Sequence, residues 1–410
     1  MGVGCCRFCG TQLARAFADL GRSPLANSFL TPERLLQAEP FYPLRALVCE
    51  SCLLVQVEQF ETAEAIFSDY LYFSSYSESW LRHCRDYALQ AIATYGLDGS
   101  SKVVEVASND GYLLQYFKER GVDVLGIEPA ANVAKVAIAK GIPSEVAFFG
   151  VATARRLAEQ GLAADLIVAN NVLAHVPDLV DFVAGFPILL KPEGVATFEF
   201  PHLLRLIEQR QFDTIYHEHF SYFSLLVLNK VFASQGLRIV DVEQLSTHGG
   251  SLRLHICHAS STRRPTERVD AVLAEEIAAG LDRIETYEAF ADAVIDVKCG
   301  LLKFLIGARE QGKTVVSYGA PAKGNTLLNY CGIGPELLAY TVDASPYKQG
   351  CFLPGVQIPI HAPERIFETR PDYVLILPWN LKDEIEAQMK GIRQWGGRFV
   401  LGLPNLTVLP

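Results

Sequence analysis

Residues 212–224, FDTIYHEHFSYFS, bring together side chains that can transfer protons or bind metals. Two histidines, His217 and His219, flank Glu218, and a tyrosine stands on either side of the group. A metal centre is disfavoured because only the histidines could share one face of an extended segment, and the H-E-x-x-H spacing is absent. Proton transfer needs one imidazole near a substrate, and an ordinary histidine pKa of about 6.5 suits a general base. The alternative is a buried polar cluster that packs a loop.

Four of the ten cysteines have the spacing of a metal site. They form two CxxC pairs, Cys6 with Cys9 and Cys49 with Cys52. Two such pairs supply four thiolates, the ligand set that Zn²⁺ takes in tetrahedral structural sites. Because four sulfurs leave no open position for water, the predicted zinc is structural and not catalytic. The alternative is a set of four unrelated core cysteines.

The composition is that of a globular protein with two or three domains. The chain has 410 residues, of which 50% are hydrophobic and 20% charged, and a net charge of −10. This acidic balance and the lack of a Lys/Arg run argue against a nucleic-acid partner. No apolar run is long enough for a membrane span, and MGVGCCRFCG lacks the features of a signal peptide. We therefore expect a cytoplasmic protein with reduced cysteines that is a monomer or a small homo-oligomer.

The elements that must position these side chains follow two patterns. Residues 1–65 consist of short apolar stretches and turns, which predicts a small ribbon module around the cysteine pairs. From residue 102, short buried strands alternate with helical segments, among them the helix and turn DLVDFVAGFPILLKPEG. Residues 264–312 are mostly helical, and a second strand–loop–helix block follows, in which DEIEAQMKGIRQWGG is one helix and GRFVLGLP the last strand. The predicted fold class is α/β, with a doubly wound parallel sheet and a second, Rossmann-like block.

The first strand–turn–helix unit of the larger block, VVEVASNDGYLL, indicates the type of cofactor. It lacks the G-x-G-x-x-G turn that accommodates a pyrophosphate, and its acidic loop would repel phosphate and suit a cation. Glu128, at the end of the next strand, is placed to accept the hydroxyls of a ribose. The alternative is an acidic strand end in which Asp110 only caps a helix. The candidate cofactor-binding residues are Glu105, Asn109, Asp110, Gly111, Glu128, Asn170 and Asn171.

These motifs resemble those of class I methyltransferases that use S-adenosylmethionine, and nearly the whole chain resembles the nucleotide-sugar C-methyltransferases of deoxysugar biosynthesis. The second likeness rests on the CxxC pairs, SDYLYFSS, EVASNDG, ANNVLAHVPD, IYHEHFSYFS, THGGSLR, YGAPAKGNTLLNY, CGIG and VDASPYKQG. It implies methyl transfer to a ring carbon, C3 or C5, beside the C4 ketone of a dTDP-, CDP- or GDP-linked keto-sugar, with dTDP favoured. It also implies three domains: a zinc module (1–65), a methyltransferase domain (66–262) and a sugar-nucleotide-binding α/β domain (263–410).

The resemblance also implies roles for individual side chains. His219 is the expected base, and Tyr216 and Glu218 belong to the same active-site block, whereas His217 is given no role. Tyr70 and His175 match further active-site positions. A base that removes the proton beside a ketone produces an enolate, whose carbon attacks the sulfonium methyl in line, while nearby donors stabilise the oxygen. The candidates for that donor are Tyr216, Tyr222, His175 and His248.

Two further motifs are candidates for substrate binding. In YGAPAKGN, Gly319 and Gly324 allow close backbone approach at a helix start, where free N–H groups attract phosphate. Lys323 adds a charge, so the motif is the predicted diphosphate or nucleotide anchor. An ordinary strand-to-helix turn is the alternative, and THGGSLR is either an active-site wall loop or a simple turn. The predicted substrate-binding residues are Tyr222, His248, Gly249, Lys323, Asn325, Thr326 and Asp343, the last near a ribose.

Two other functions are compatible with parts of the pattern. One is an O- or N-methyltransferase, which needs neither a base strong enough for a carbon acid nor a second nucleotide domain. The other is a zinc-ribbon scaffold built on an inactive methyltransferase fold. The joint presence of Glu105, Glu128, His219 and Lys323 argues against a scaffold.

Overall fold

The computed structural model describes residues 4–62 and 74–409, and within them the strands form sheets of four, seven and six strands. The strands are β1 Arg15–Ser23, β2 Tyr42–Val48, β3 Val55–Val57, β4 Lys102–Val106, β5 Asp123–Ile127, β6 Ser144–Glu145, β7 Ala164–Asn170, β8 Leu190–Pro201, β9 Ser221–Tyr222, β10 Leu237–Leu245, β11 Ser251–His258, β12 Val315–Tyr318, β13 Thr341–Val342, β14 Ile360–His361, β15 Tyr373–Ile376, β16 Arg398–Leu401 and β17 Thr407–Val408.

Helices connect most of these strands. The α-helices are α1 Glu78–Tyr95, α2 Leu114–Lys118, α3 Ala131–Ala139, α4 Val151–Glu159, α5 Leu179–Leu189, α6 Leu203–Glu208, α7 Leu225–Ser234, α8 Glu267–Ala278, α9 Ile284–Glu288, α10 Phe290–Glu310, α11 Ala322–Cys331, α12 Arg365–Thr369 and α13 Lys382–Gln388. Shorter 3₁₀ helices are Pro32–Leu36, Ser74–Tyr76, Leu173–His175, Phe212–Thr214, Thr247–Gly249, Trp379–Leu381 and Lys390–Trp395. Among the described residues, no helix has the length and apolarity needed to cross a membrane.

The seven-stranded sheet has the order β10-β11-β8-β7-β4-β5-β6. Strands β8, β7, β4, β5 and β6 run parallel, because helices cross over between them. Strand β11 is antiparallel to both β8 and β10, since the short loop between β10 and β11 permits only a hairpin. This order is that of a class I methyltransferase sheet, and the predicted α/β fold class is confirmed.

Helix α1 covers this sheet and has clear boundary signals. The Ser77 hydroxyl caps its start by accepting the N–H of Trp80 at 3.3 Å, and Gly96, with φ 63°, ends it. The apolar face of the helix, which includes Cys84 and Tyr87, packs in a common core with the β4 residue Val103. Near the start of α1, the Trp80 ring lies 6.1 Å from the ring of Tyr112, which follows β4, so the helix begins near the end of that strand.

The other two sheets belong to the C-terminal block and to the N-terminal ribbon. The six-stranded sheet, β14-β13-β12-β15-β16-β17, is parallel apart from β17. The four-stranded sheet, β1-β2-β3-β9, is antiparallel and contains the N-terminal ribbon. Its last strand, β9, comes from residues 221–222, far along the chain from the ribbon.

Three local predictions differ from the structure. The predicted turn KPEG lies inside β8, because Leu190 already pairs with Ala164 of β7. The predicted helix DEIEAQMKGIRQWGG divides into α13 and a 3₁₀ helix, and a Cβ on Gly391 would lie 2.7 Å from the ring of Phe367. GRFVLGLP is not the last strand, because β17 folds back on β16. The positions of the domain boundaries stay predictions.

Candidate active site

The four cysteines of the CxxC pairs converge at one point. Their sulfur atoms all lie within 4.8 Å of one another, and Cys6 Sγ and Cys52 Sγ are 3.5 Å apart, as are those of Cys9 and Cys49. Four sulfurs at zinc–sulfur distances of about 2.3 Å stand at similar separations around a tetrahedron. The site therefore fits Zn²⁺, and its closed four-sulfur set fits a structural ion.

Three parallel strands bring predicted cofactor residues to one edge of the seven-stranded sheet. Glu105 lies in β4, Glu128 directly follows β5, and Asn170 ends β7. Burial raises the pKa of both carboxyl groups, and the raise is large for Glu105. The Glu128 carboxylate accepts the backbone N–H groups of Asn109 at 2.9 Å and Ala130 at 2.8 Å, one on each oxygen. Each oxygen keeps a second acceptor position for a ligand hydroxyl.

The loop after β4 turns tightly and packs closely against the protein. Asn109 and Gly111 have φ values of 48° and 79°, and a Cβ on Gly111 would lie 2.9 Å from a side-chain carbon of Ile142. The Asp110 side chain is buried, and its Oδ2 pairs with the Lys140 ammonium at 3.0 Å. Its Oδ1 has no hydrogen-bond partner within the described residues. A buried oxygen in this state calls for a donor from outside the described residues.

The end of β7 contributes further unsatisfied polar atoms. Asn170 is buried, and neither atom of its amide has a partner in the part of the chain that the structure describes. Asn171 adopts a φ of 52°, and its Nδ2–H donates to His248 Nε2 at 3.4 Å. Together with Asp110, these amides fit a ligand as polar as S-adenosylmethionine.

His219 is held in one tautomer by two hydrogen bonds. Its Nδ1 lies 2.9 Å from the carbonyl oxygen of Thr214, which can only accept, so Nδ1 carries the proton. Its Nε2 is therefore unprotonated, and the lone pair on that atom accepts the hydroxyl of Tyr216 at 2.7 Å. Burial, followed by the nearby His175, lowers the pKa of His219 well below its usual value. The imidazole is thus neutral at neutral pH, as a general base must be.

Aromatic and imidazole rings surround His219. The His175 ring meets it edge-on with centroids 4.7 Å apart, and the Tyr216 ring lies 4.0 Å away. Burial lowers the pKa of His175 to about 4, so this neighbour is also neutral. The Tyr222 ring is 6.2 Å from that of His219, and its hydroxyl donates to Thr214 O at 3.4 Å. His219, Tyr216, His175 and Tyr222 therefore form one group.

The other two residues of the HEH triplet point away from the His219 ring. Glu218 is buried, and both of its oxygens accept the Asn27 amide, at 2.8 and 3.0 Å. Burial raises the pKa of Glu218 to about 7. His217 Nε2 lies 3.1 Å from Pro43 O, and its ring packs edge-on against Tyr42. The Thr214 carbonyl, and not the Glu218 carboxylate, therefore holds the imidazole of His219.

Lys323 reaches the same region from the start of α11. Its ammonium donates to Asn380 Oδ1 at 2.9 Å and lies 4.5 Å from the ring centroid of Trp379. The Trp379 indole N–H donates to Asp213 Oδ2 at 2.7 Å. Burial raises the pKa of Asp213 to about 6, and the charge of Lys323 opposes that rise. The charge of Lys323 also contributes to the low pKa of His219, which places the ammonium within electrostatic range of the imidazole.

Three predicted substrate residues make contacts within the protein. The Asn325 amide donates to Ala26 O at 3.2 Å, and the Thr326 hydroxyl donates to Ile215 O at 3.2 Å. Asp343 accepts the backbone N–H groups of Ala320 at 2.7 Å and Ser345 at 2.8 Å. The contacts of Asn325 and Thr326 hold the second α/β block against the rest of the chain, and those of Asp343 lie within the block. All three side chains have structural partners where substrate contacts were expected. Tyr70 lies outside the described residues.

The THGG loop closes another side of the site. His248 has a φ of 53°, and burial lowers its pKa to about 4. A Cβ on Gly249 would lie 2.3 Å from the Trp379 ring, so the loop contacts that indole directly. The Thr247 hydroxyl fixes the loop by donating to the buried carboxylate of Glu199 at 3.0 Å. The loop therefore packs against Trp379 and Glu199, and its role as an active-site wall stays a prediction.

Comparison with known proteins assigns the chain to a family. Residues 6–67 match a family model described as "Putative zinc binding domain", residues 78–242 a methyltransferase domain, and residues 246–404 a C-methyltransferase C-terminal domain. The chain is 36% identical to the C-methyltransferase NovU of Streptomyces niveus over 98% of its own length and 96% of that protein. The chain belongs to the C-methyltransferase family. Its chemistry is C-methylation of a small molecule, and the cofactors predicted for this family member, S-adenosylmethionine and structural zinc, agree with the methyltransferase and zinc-binding matches.

Other similarities of this C-methyltransferase cover only part of the chain. A ubiquinone biosynthesis O-methyltransferase of Leptothrix cholodnii is 34% identical over 24% of this chain and 43% of its own length. Magnesium protoporphyrin IX methyltransferase from Synechocystis, solved with bound S-adenosylmethionine, shares 15% identity with a TM-score of 0.34 over 43% of this chain and 79% of its own.

Several residues near the site of this C-methyltransferase were not found from the sequence. Thr214 acts through its backbone carbonyl, which no side-chain pattern reveals. Asn27 and Arg7 are remote in sequence from the residues that they contact. Trp379 had one available signal, because an aromatic residue just after a buried strand lies at the edge where ligands of α/β sheets bind.

Proposed function

We propose that the enzyme transfers a methyl group to a ring carbon, C3 or C5, adjacent to the C4 ketone of a nucleotide-linked keto-deoxysugar. His219 is the base that removes the ring proton. The single observation that carries the proposal is the unprotonated Nε2 of His219, a tautomer fixed by the donation of Nδ1–H to Thr214. A neutral imidazole with a committed tautomer suits a carbon acid, which needs a base already in position. Methylation of oxygen or nitrogen does not require such a base.

The geometry of His219 determines how the protein removes the ring proton. As the C–H bond breaks, its proton passes to His219 Nε2, and the bonding electrons form the enolate with the C4 oxygen. The positive charge that develops on the imidazole is stabilised by the Thr214 carbonyl at 2.9 Å. Burial keeps the pKa of His219 low in the resting enzyme, so no proton has to leave before the reaction.

The developing oxyanion needs a hydrogen-bond donor, and Tyr216 is the best supported of the four candidates. Its hydroxyl donates to Nε2 at 2.7 Å and must leave that lone pair when the substrate C–H approaches. A hydroxyl released beside the reacting carbon can donate to the adjacent oxygen. Tyr222 is less suited because its hydroxyl already donates to Thr214 O. His248 accepts the Asn171 amide at Nε2, so its only donor is Nδ1–H.

The methyl donor is assigned to the edge formed by β4, β5 and β7. When bound there, S-adenosylmethionine supplies the electrophilic methyl group that the enolate carbon takes. Glu128 would accept the ribose hydroxyls on its remaining lone pairs. Asp110 Oδ1 and the Asn170 amide supply the other unsatisfied polar atoms. Glu105, buried within β4, would offset the sulfonium charge in its ionised form.

The nucleotide part of the substrate is assigned to the side of Lys323. The ammonium is fixed by Asn380 and Trp379. It reaches the His219 site from the second α/β block, and its positive charge acts on the imidazole. Such a charge would bind the diphosphate and hold the sugar toward the imidazole. We propose dTDP as the nucleotide, with CDP and GDP as the alternatives to be compared. The cytoplasmic location and the state of a monomer or small homo-oligomer also remain proposals.

One experiment tests the function and the base together. The enzyme is incubated with methyl-labelled S-adenosylmethionine and a series of dTDP-, CDP- and GDP-linked 4-keto-sugars, and the products are analysed by NMR and mass spectrometry. Label on a ring carbon is the expected result, whereas label on oxygen or nitrogen contradicts the proposal. In D₂O without the methyl donor, the wild type should exchange the ring proton and His219→Asn should not. Full exchange by His219→Asn at unchanged S-adenosylmethionine affinity would show that another residue is the base.

A further inference from the structure

The zinc-binding module shares its β-sheet with residues 212–222, the segment that contains the proposed base and is called the catalytic segment below. Strand β3, just after the second cysteine pair, pairs with β9 through Val55 with Tyr222 and Gln56 with Ser221. The ladder continues where the Val57 N–H donates to Phe220 O at 3.0 Å. Phe220 directly follows His219 in sequence. The backbone that carries the proposed base is therefore an edge of the zinc-module sheet.

A single side chain from the first cysteine pair reinforces this junction. Arg7 lies between Cys6 and Cys9, and its guanidinium donates to Phe220 O and, at 3.0 Å, to Val57 O. The guanidinium also lies over the Phe220 ring, 5.5 Å from its centroid. A planar fork with several donors can bind two carbonyls at once, and its charge strengthens both hydrogen bonds.

Arg7 is in turn fixed from the metal side. Its backbone N–H donates to Gln56 Oε1 at 3.0 Å, and the Gln56 amide donates to Cys6 Sγ at 3.2 Å. Hydrogen bonds thus lead from a predicted zinc ligand through Gln56 and Arg7 to the carbonyl next to His219.

The peptide on the other side of His219 is anchored to the same module. The Asn27 amide donates to both oxygens of Glu218, the residue before His219. The Phe220 N–H donates to Ala174 O at 2.7 Å, which links the segment to the turn that contains His175. Because both neighbours of His219 are held, a shift of either one would move the imidazole relative to the substrate.

We propose that Arg7 is a positioning residue for catalysis, which holds the Phe220 carbonyl and thereby fixes the placement of the His219 imidazole. The proposal rests on the proposed function, in which His219 is the base. A purely structural role in the zinc module is the competing explanation. The two differ because positioning affects the rate of proton removal in an enzyme that is folded and contains its metal.

The test compares Arg7→Gln with Arg22→Gln. Arg22 is the matched control because it belongs to the same module and also donates to a backbone carbonyl, that of Phe41 at 2.7 Å, but from an exposed position. We expect Arg7→Gln to slow both ring-proton exchange and kcat by roughly 10- to 100-fold, with KM changed less than threefold, since small misplacements of reacting groups have effects of this size. Bound zinc, S-adenosylmethionine affinity and the melting temperature should stay near the wild-type values. Arg22→Gln should behave as wild type throughout.

A spectroscopic measurement separates positioning from stability. The ¹⁵N signals of His219, assigned by their absence in His219→Asn, report its tautomer and the hydrogen bond to Thr214. They should shift or broaden in Arg7→Gln and remain unchanged in Arg22→Gln. Wild-type exchange rates and ¹⁵N signals in Arg7→Gln would overturn the proposal.

A second variant decides the outcome if Arg7→Gln loses zinc or fails to fold. Arg7→Lys keeps a charge beside Phe220 but lacks the planar fork that joins two carbonyls. A folded, zinc-loaded Arg7→Lys enzyme with slowed exchange supports positioning, and one with wild-type exchange rules it out. The proposed function is tested separately, because ring-proton exchange by His219→Asn would show that His219 is not the base, whatever the result for the Arg7 variants.

Discussion

Trp379 and Asp213 join the second α/β block to the start of the catalytic segment, since the indole N–H of Trp379 donates to Asp213 Oδ2 at 2.7 Å. Asp213 is fully buried and immediately precedes Thr214, whose carbonyl holds His219. Thr326 adds a second bond from the same block by donating to Ile215 O. The segment is thus anchored by the C-terminal block at its beginning and by the zinc module at its end.

Replacement of Trp379 by Phe tests this connection. The variant keeps a ring beneath Lys323 but leaves Asp213 Oδ2 without its donor, which should reduce the free energy of unfolding by about 1–3 kcal/mol. The KM for the nucleotide sugar should rise, because the cation–π partner becomes weaker and the segment loosens. Urea unfolding and steady-state kinetics measure both effects.

Trp395→Phe is the control for this prediction. Trp395 belongs to the same block and donates its indole N–H to Pro371 O at 3.0 Å, away from the catalytic segment. It should lose stability but keep the wild-type KM. An equal rise of KM in both variants would mean that the Trp379 bond has no particular link to the site.

The buried Glu218 gives stability a distinct pH dependence. Burial raises the pKa of its carboxyl from 4.5 to about 7, so the folded state binds a proton more tightly than the unfolded state. Its contribution to stability is therefore present below about pH 4.5 and is lost as the pH rises through 7. Glu218→Gln removes this dependence. Between pH 5 and pH 8, the free energy of unfolding of the variant should therefore increase relative to that of the wild type, by at most about 3 kcal/mol. Urea titrations at each pH measure the difference, and parallel curves for the two proteins would contradict the prediction.

The pH dependence of proton exchange tests the state of His219. Its pKa is depressed by burial and by the adjacent His175, so the imidazole stays unprotonated down to well below pH 6.5. Protonation of the base should therefore not slow ring-proton exchange between pH 8 and about pH 6.5, and the exchange rate should fall only at lower pH. The profile is best measured in Glu218→Gln, which removes the carboxyl that titrates at about 7. A midpoint at or above pH 6.5 in that variant would show that the base is not this buried imidazole.

The sequence predicted those features that depend on spacing along the chain. The CxxC pairs specified a four-sulfur cluster, and the alternation of short buried strands with helices specified the α/β sheets. The strand ends likewise located Glu128 and Asn170 at one edge, because carboxyl ends of parallel strands meet there.

The contacts that depend on tertiary packing could not be predicted. The pairing of β3 with β9 joins residues more than a hundred positions apart, and nothing local to either strand specifies the other. Glu218 belongs to the same short motif as His219, yet its side chain turns toward Asn27. Asn325 and Thr326 have the types of ligand residues, but burial against other parts of the chain gives them internal partners.

Removal of zinc should affect the proposed base more than the methyl-donor site. Without the ion, the four thiolates, which lie within 4.8 Å of one another, are no longer held together by a metal, and the sheet that contains β3 should loosen. Strand β9 loses its partner, so amide hydrogen exchange should rise in residues 217–222 but not in β4 or β7. Ring-proton exchange should then fall by roughly tenfold or more, since the base is no longer held in place, while S-adenosylmethionine still binds. Mass-spectrometric hydrogen exchange before and after chelation, with zinc added back as the control, measures this. Protection of residues 217–222 that survives complete zinc removal would show that the module does not hold the catalytic segment.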